Sequence, residues 1–328
     1  MKIAYYLPEK TFTNSDFEKE FPDWNASKIE EKVGIRQRHL VSSDETALDL
    51  AVKASELVLE EIDRNSIDFV LLCTQSPDYF LPTSACILQD RLALNKHCGA
   101  LDFNLGCSGY IYGLALAKGL LSTGVAHHIL FVTSETYSKH IHKLDRVNRS
   151  IFGDGAAATL LDFNDSLHIG EFVLGTDGKG KVNLIVETGA MRNAYNTGFE
   201  EILAEDGSFH SPNYLYMNGP EIFNFTIENV PGLVETVLLK NKITIEQLDY
   251  IIFHQANKYM LEYLRKKIKI PTEKYYNNIL LSGNTVSSTI PIALKNCIDE
   301  GKIKTKSKIM LVGFGVGYSW GATIIDFN

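Results

Sequence analysis

Apolar residues in this chain follow two rhythms. Between 46 and 62, Ala47, Leu50, Ala51, Ala54, Leu57, Val58 and Ile62 recur three and four positions apart, which predicts an amphipathic helix with Ser43 or Asp44 as its cap. Elsewhere the apolar residues come in short unbroken runs that read as strands: Lys2 to Leu7, Asp68 to Cys73, the run before Asn104, His128 to Val132, and Ala156 to Phe163. A helix is expected across Ser84 to Leu94. Another follows Cys107, where Ile111, Leu114, Ala115, Leu116, Gly119, Leu120 and Leu121 return at helical spacing. Strands alternating with helices predict an α/β fold, its sheets mixed but mostly parallel and covered by helices on both faces. The stretch from 177 to 220, punctuated by Gly178, Gly180, Gly189, Gly198, Gly207 and Pro212, reads as a long surface excursion.

The second half repeats the first. Ile67-Asp68-Phe69-Val70-Leu71-Leu72-Cys73 resembles Leu248-Asp249-Tyr250-Ile251-Ile252-Phe253-His254, and Ala158-Thr159-Leu160-Leu161-Asp162-Phe163-Asn164 matches Ala322 to Asn328. Leu105-Gly106-Cys107-Ser108 and Ser282-Gly283-Asn284-Thr285 each lie between a strand and an apolar helix. Three matches in one order predict an internal duplication with its seam near Asn164, so two halves, 1–164 and 165–328. Each would carry a five-stranded sheet, and a pseudo-twofold axis would relate them.

Composition narrows the class. Of 328 residues, 45% are hydrophobic and 22% charged, with a formal net charge of −8. That acidic balance argues against nucleic acid or an anionic membrane as partner. The five cysteines (73, 86, 98, 107 and 297) show no CxxC or metal-ligand spacing, and no metal is expected. No signal core or membrane-length apolar run is legible, so a reducing cytoplasm is expected.

Cys107 is expected at a sharp turn from strand into helix, with Gly106 and Gly109 letting the backbone bend. A thiol at a helix N-terminus faces unpaired amides, which favour the thiolate and lower its pKa. The duplication then makes a geometric forecast. Cys107 and Asn284 occupy equivalent turns, His254 ends the strand equivalent to the one ending at Cys73, and all three meet where the parallel strands open. Separately each has an ordinary explanation: a small hydrophobe, a core histidine, a turn residue.

Several motifs carry a resemblance. They are Asp102 to Tyr110, Phe152-Gly153-Asp154-Gly155-Ala156-Ala157, His254-Gln255-Ala256-Asn257, Gly283-Asn284-Thr285 with Ile290-Pro291, and the loop Gly313-Phe314-Gly315-Val316-Gly317. With Tyr6-Leu7-Pro8 and Gly34-Ile35-Arg36, they make the chain similar, over nearly its whole length, to beta-ketoacyl-acyl carrier protein synthase III of the thiolase superfamily.

The resemblance implies a mechanism. Cys107 takes an acyl group from a thioester. His254 and Asn284 then hydrogen-bond the carbonyl of a malonyl-carrier thioester as it loses carbon dioxide, and the resulting carbanion attacks the acyl group. The amide of Cys107 and one from the loop at 313–317 would hold the oxyanion of the acyl step. No metal or redox cofactor is called for; acyl-coenzyme A or acyl-carrier protein enters as substrate. By the same resemblance Leu81, Arg146, Phe152, Asn257, Phe314 and Val316 touch substrate. Gln255, Ala256, Lys258, Tyr259 and Arg265 would dock an acyl carrier protein, and a homodimer is implied in which the loop holding Leu81 reaches the partner's acyl pocket.

Three positions depart from the family pattern. Lys28 stands where coenzyme A users place a Trp, Trp24 lying too early without a gap; Tyr259 replaces a docking Arg; and Val316 replaces a Gly. A non-condensing acyltransferase of the same fold is the first alternative. A cysteine protease would share the order Cys, His, Asn but needs a Cys-Gly-Ser-Cys-Trp pattern that this chain lacks, and a binding module without activity would not need the intact triad.

Overall fold

On the strand Phe69–Cys73, Val70 and Leu72 face one way and Leu71 and Cys73 the other, and all four are buried. The same alternation recurs at Ile251, Ile252 and Phe253 and along Ile309 to Val312, so the inner strands of two sheets are covered on both faces. This computed structural model describes residues 1–162 and 167–327.

The first sheet runs in the order Lys2–Tyr6, Gly155–Asp162, His128–Glu135, Phe69–Cys73, Gly99–Phe103. The second runs Tyr275–Tyr276, Tyr250–Phe253, Ser307–Gly315, Ser319–Phe327, Leu167–Ile169, with Val173–Thr176 also paired to Ser319–Phe327. Strand by strand, the two orders correspond. In each sheet the strand next to one edge (Phe69–Cys73, Tyr250–Phe253) is parallel to both its neighbours, and the pairings beyond are antiparallel. The sheets are therefore mixed but mostly parallel, with Gly155–Asp162 alone reversed in the first and Ser319–Phe327 alone in the second, which also carries a sixth strand. Phe163 and Asn164, where the sequence placed a strand end and the seam between halves, lie outside the described residues.

Two helices, Gly109–Ser122 and Thr289–Asp299, fill the layer between the sheets. Tyr110, Ile111, Leu114 and Ala117 from one join Ile290, Ala293 and Leu294 from the other in a single buried cluster with the inner faces of both sheets. Truncating Leu114 to Ala there would cost about 2–5 kcal/mol. Helices Ala47–Leu59 and Ser84–Arg91 cover the outer face of the first sheet, and Gly219–Asn241 and Lys258–Ile268 that of the second.

Local details depart from expectation for physical reasons. Helix Ala47–Leu59 is capped by Thr46, not Ser43 or Asp44: Thr46 Oγ1 accepts the Asp49 N–H while Asp49 returns a bond to the Thr46 N–H. The strand Gly99–Phe103 is an edge strand and Leu101 on it is exposed, so the run before Cys107 is not buried. The excursion from 177 to 220 holds only short strands and a 3-10 turn, much of it exposed as its glycines implied.

Candidate active site

Cys107 lies between the edge strand and helix Gly109–Ser122, and only 6% of it is exposed. The neighbouring glycines act by size rather than by bending, since neither has a positive φ. A Cβ at Gly109 would collide with Cys73 Sγ, and one at Gly106 would stand 2.6 Å from Gln75 Oε1 and 2.7 Å from Val316 Cγ1. Ser108, at the helix cap, spends its hydroxyl on Ser319 Oγ at 2.6 Å, tying the nucleophile turn to the second half.

The helix end does not lower the Cys107 pKa. Burial, and secondarily the nearby Glu135 carboxyl, push the thiol up to about 12, while the backbone amides of Cys107 and Val316 pull the other way. Those two amides are where an oxyanion formed at this sulfur would be held.

His254 continues the strand Tyr250–Phe253, its N–H donating to the Val312 carbonyl at 2.7 Å. Its Nδ1 meets Thr289 Oγ1 at 2.7 Å, and the Phe314 ring stands edge-on to the imidazole, 5.6 Å between centroids and 84° between planes. Burial pushes the ring pKa down to about 3, against a hydrogen bond to the Val286 backbone, so the imidazole is neutral at physiological pH.

Asn284 is clamped at its backbone. Its N–H donates to the Ile151 carbonyl and its own carbonyl accepts from the Gly153 N–H, both at 3.0 Å, which sets Phe152 alongside it. Its Oδ1 accepts the Val286 N–H at 2.9 Å, which leaves the NH2 end as the donor offered outward. The end of the strand Ser307–Gly315 touches both Cys107 and His254. Gly315 abuts Cys107, and Phe314, 2% exposed, packs on His254. Cys107, Phe152 and Phe314 belong to one buried cluster.

Other expected site residues fall elsewhere. Leu81 is 81% exposed beside Tyr79 and Phe80. Arg146 pairs with Asp23 at 2.5 Å, its guanidinium lies 5.0 Å from the Phe21 ring, and Trp24 sits across Gly207 from it. Asn257 caps helix Lys258–Ile268 through the Met260 N–H. Gln255 and Ala256, read as docking residues, are buried. Gln255 braces the Asn278 N–H and the Phe253 carbonyl, so neither residue offers a surface to another protein. Arg265 is paired to Glu262 at 3.0 Å. Lys258 and Tyr259 do lie exposed. Sequence reasoning missed Glu135, Ser287 and Thr289; the one legible signal was Glu135 itself, an acidic residue just past the apolar run 129–132. Among the described residues no group of three His, Cys, Asp or Glu side chains gathers as a metal site, and no helix is long and apolar enough to cross a membrane.

Comparison with known proteins follows the same lines. The family described as 3-oxoacyl-[acyl-carrier-protein (ACP)] synthase III matches residues 101–178, and its C-terminal counterpart matches 238–327. A beta-ketoacyl-[acyl-carrier-protein] synthase III of Clostridium perfringens is 36% identical, over 98% of this chain and 97% of its own. That of Fusobacterium nucleatum is 34% identical over 99% and 97%. Among solved structures, a 3-oxoacyl-(acyl-carrier-protein) synthase III superposes with a TM-score of 0.97 at 45% identity, covering 99% of this chain and 98% of that one. The synthase III of Thermus thermophilus superposes at 0.88 with 32% identity, over 100% and 98%.

Proposed function

Because the chain belongs to the 3-oxoacyl-[acyl-carrier-protein] synthase III family, a family of condensing acyltransferases, we propose that Cys107, His254 and Asn284 carry out its two half-reactions. The protein is an enzyme that condenses an acyl thioester with a malonyl-carrier thioester. In the first step Cys107 Sγ attacks the acyl thioester. The proton that Cys107 gives up leaves with the departing thiol, so the exchange as a whole is proton-neutral. The amides of Cys107 and Val316 receive the oxyanion.

In the second step the malonyl thioester carbonyl lies between His254 and the Asn284 NH2. Carbon dioxide departs, electron density moves onto that carbonyl oxygen, and the carbon attacks the acyl carbonyl; the C–S bond to Cys107 breaks, releasing a β-ketoacyl thioester, and the sulfur takes up a proton from solvent. A neutral imidazole suits this step, because the charge comes from decarboxylation and not from proton abstraction. To donate from Nε2 the ring must accept at Nδ1, which the Thr289 hydroxyl supplies when it turns from the Val286 carbonyl. The observation that carries the reading is the strand end Phe314–Gly315, where the Phe314 ring touches His254 while Gly315 abuts Cys107.

The finer assignments rest on the same reading. The primer arrives as acyl-coenzyme A or acyl-carrier protein, with no metal or redox group in the chemistry as written. Exposed Lys258 and Tyr259 flank the route for an acidic carrier protein. The apolar loop Pro77–Leu81 belongs to a homodimer contact, the two halves are 1–164 and 165–328, and the enzyme works in the cytoplasm. Incubation with an acyl thioester and malonyl-carrier protein tests the reaction. Carbon dioxide and β-ketoacyl product should appear in equal amounts; acyl-Cys107 without carbon dioxide release would refute condensation.

A further inference from the structure

The turn that carries Asn284 sits in a conformation that its sequence disfavours. Val286 has φ +56°, left-handed backbone that a β-branched residue seldom adopts. That conformation aims the Val286 N–H at Asn284 Oδ1. The Val286 carbonyl meanwhile accepts from Thr289 Oγ1, the hydroxyl that meets His254 Nδ1. One short turn therefore carries both the Asn284 amide and the hydroxyl that serves His254, and the surroundings must hold it there.

The anchors come from the other half of the molecule. Ser287 Oγ donates to Glu135 Oε1 at 2.8 Å, across 152 positions of sequence. Ser288 Oγ lies against the Thr133 and Gly155 carbonyls at 3.1 and 3.2 Å. Glu135 ends the strand His128–Glu135, is fully buried, and accepts on Oε2 from the Gln75 N–H at 3.0 Å and Ser76 Oγ at 3.2 Å. The titratable groups that act on it or feel it are Cys73, Cys107, Tyr137 and Asp154, none of them a cation. A carboxyl buried without a cation is costly, so its retention calls for a task.

We propose that Glu135 and Ser287 are positioning residues whose hydrogen bond between the halves holds the Asn284–Thr289 turn, and so serves decarboxylation rather than acylation of Cys107. The inference rests on the roles given above to His254 and Asn284. Burial pushes the Glu135 carboxyl up to about 8, so near neutrality it is largely the neutral acid, whose shape glutamine reproduces with one serine hydroxyl turned to accept.

The test separates the half-reactions. Acyl-Cys107 formation is followed by rapid quench and intact mass, and carbon dioxide release is followed after malonyl-carrier thioester is added to the acylated enzyme. In Ser287→Ala and Glu135→Ala, decarboxylation should fall about tenfold or more while acylation stays within about threefold of wild type. Glu135→Gln should restore decarboxylation to within about threefold. Unchanged decarboxylation in the alanine variants, or an equal fall in both steps, overturns the proposal. If Glu135→Ala does not fold, Ser287→Ala alone decides. A wild-type enzyme that never acylates Cys107 refutes the functional reading instead, so the two failures are distinct.

Discussion

A methyl group added at Gly315 would stand 2.7 Å from Cys107 Cβ and 3.0 Å from its Sγ. The end of the strand Ser307–Gly315 and the nucleophile turn thus meet with no room for a side chain, and this contact sets where the sulfur lies. Gly315→Ala should displace the sulfur and slow acylation about 10²-fold, with the far-UV circular dichroism unchanged. Acylation at the wild-type rate would show that the contact is slack.

The buried thiol predicts an unusual pH profile. With its pKa pushed up to about 12, Cys107 is protonated across the neutral range in the free enzyme. Only the thiolate alkylates, so the iodoacetamide rate at Cys107 should climb about tenfold per pH unit from roughly pH 6 to 9 without levelling off. A plateau near pH 8 would mean that the amides of Cys107 and Val316 outweigh burial.

Glu135 makes stability depend on pH in a stated direction. Its carboxyl is raised from 4.5 to about 8, chiefly by burial, so the folded protein keeps a proton that the unfolded chain has lost. The stabilisation is complete below pH 4.5 and disappears as the pH rises through about 8. Urea unfolding of wild type and Glu135→Gln at pH 5 and pH 9 should show the wild type losing more stability over that interval. Parallel losses would contradict the shift.

Tyr79, Phe80 and Leu81, 61%, 71% and 81% exposed, form an apolar patch with Met191. If this patch forms the proposed homodimer contact, wild type should sediment as a dimer and Leu81→Asp, which would bury a charge there, should shift it toward monomer. A dimer unaffected by this change would place the interface elsewhere.

What was legible in the sequence was the backbone plan, and with it the elements that carry Cys107, His254 and Asn284. The matches between Phe69–Cys73 and Tyr250–Phe253, and between the turns at 107 and 284, reflect strands that hold equivalent places in the two sheets, so the repeat announced the convergence. What escaped was set by contacts distant in sequence. Glu135 meets Gln75 across 60 positions and Ser287 across 152, separations that no local pattern encodes. The Cys107 thiol was misjudged because a helix end is visible in sequence and desolvation is not. Gln255 was assigned to docking through the motif it shares with the family, and a motif does not say which of its side chains turn inward.

The most direct test is the intact mass of the protein after exposure to acyl-coenzyme A and acyl-carrier thioesters. The expected result is a gain of one acyl group that maps to Cys107, is absent in Cys107→Ser, and in His254→Ala and Asn284→Ala persists after malonyl-carrier thioester is added. An acyl group found on another residue, or one that the His254 and Asn284 variants discharge as fast as wild type, would contradict it.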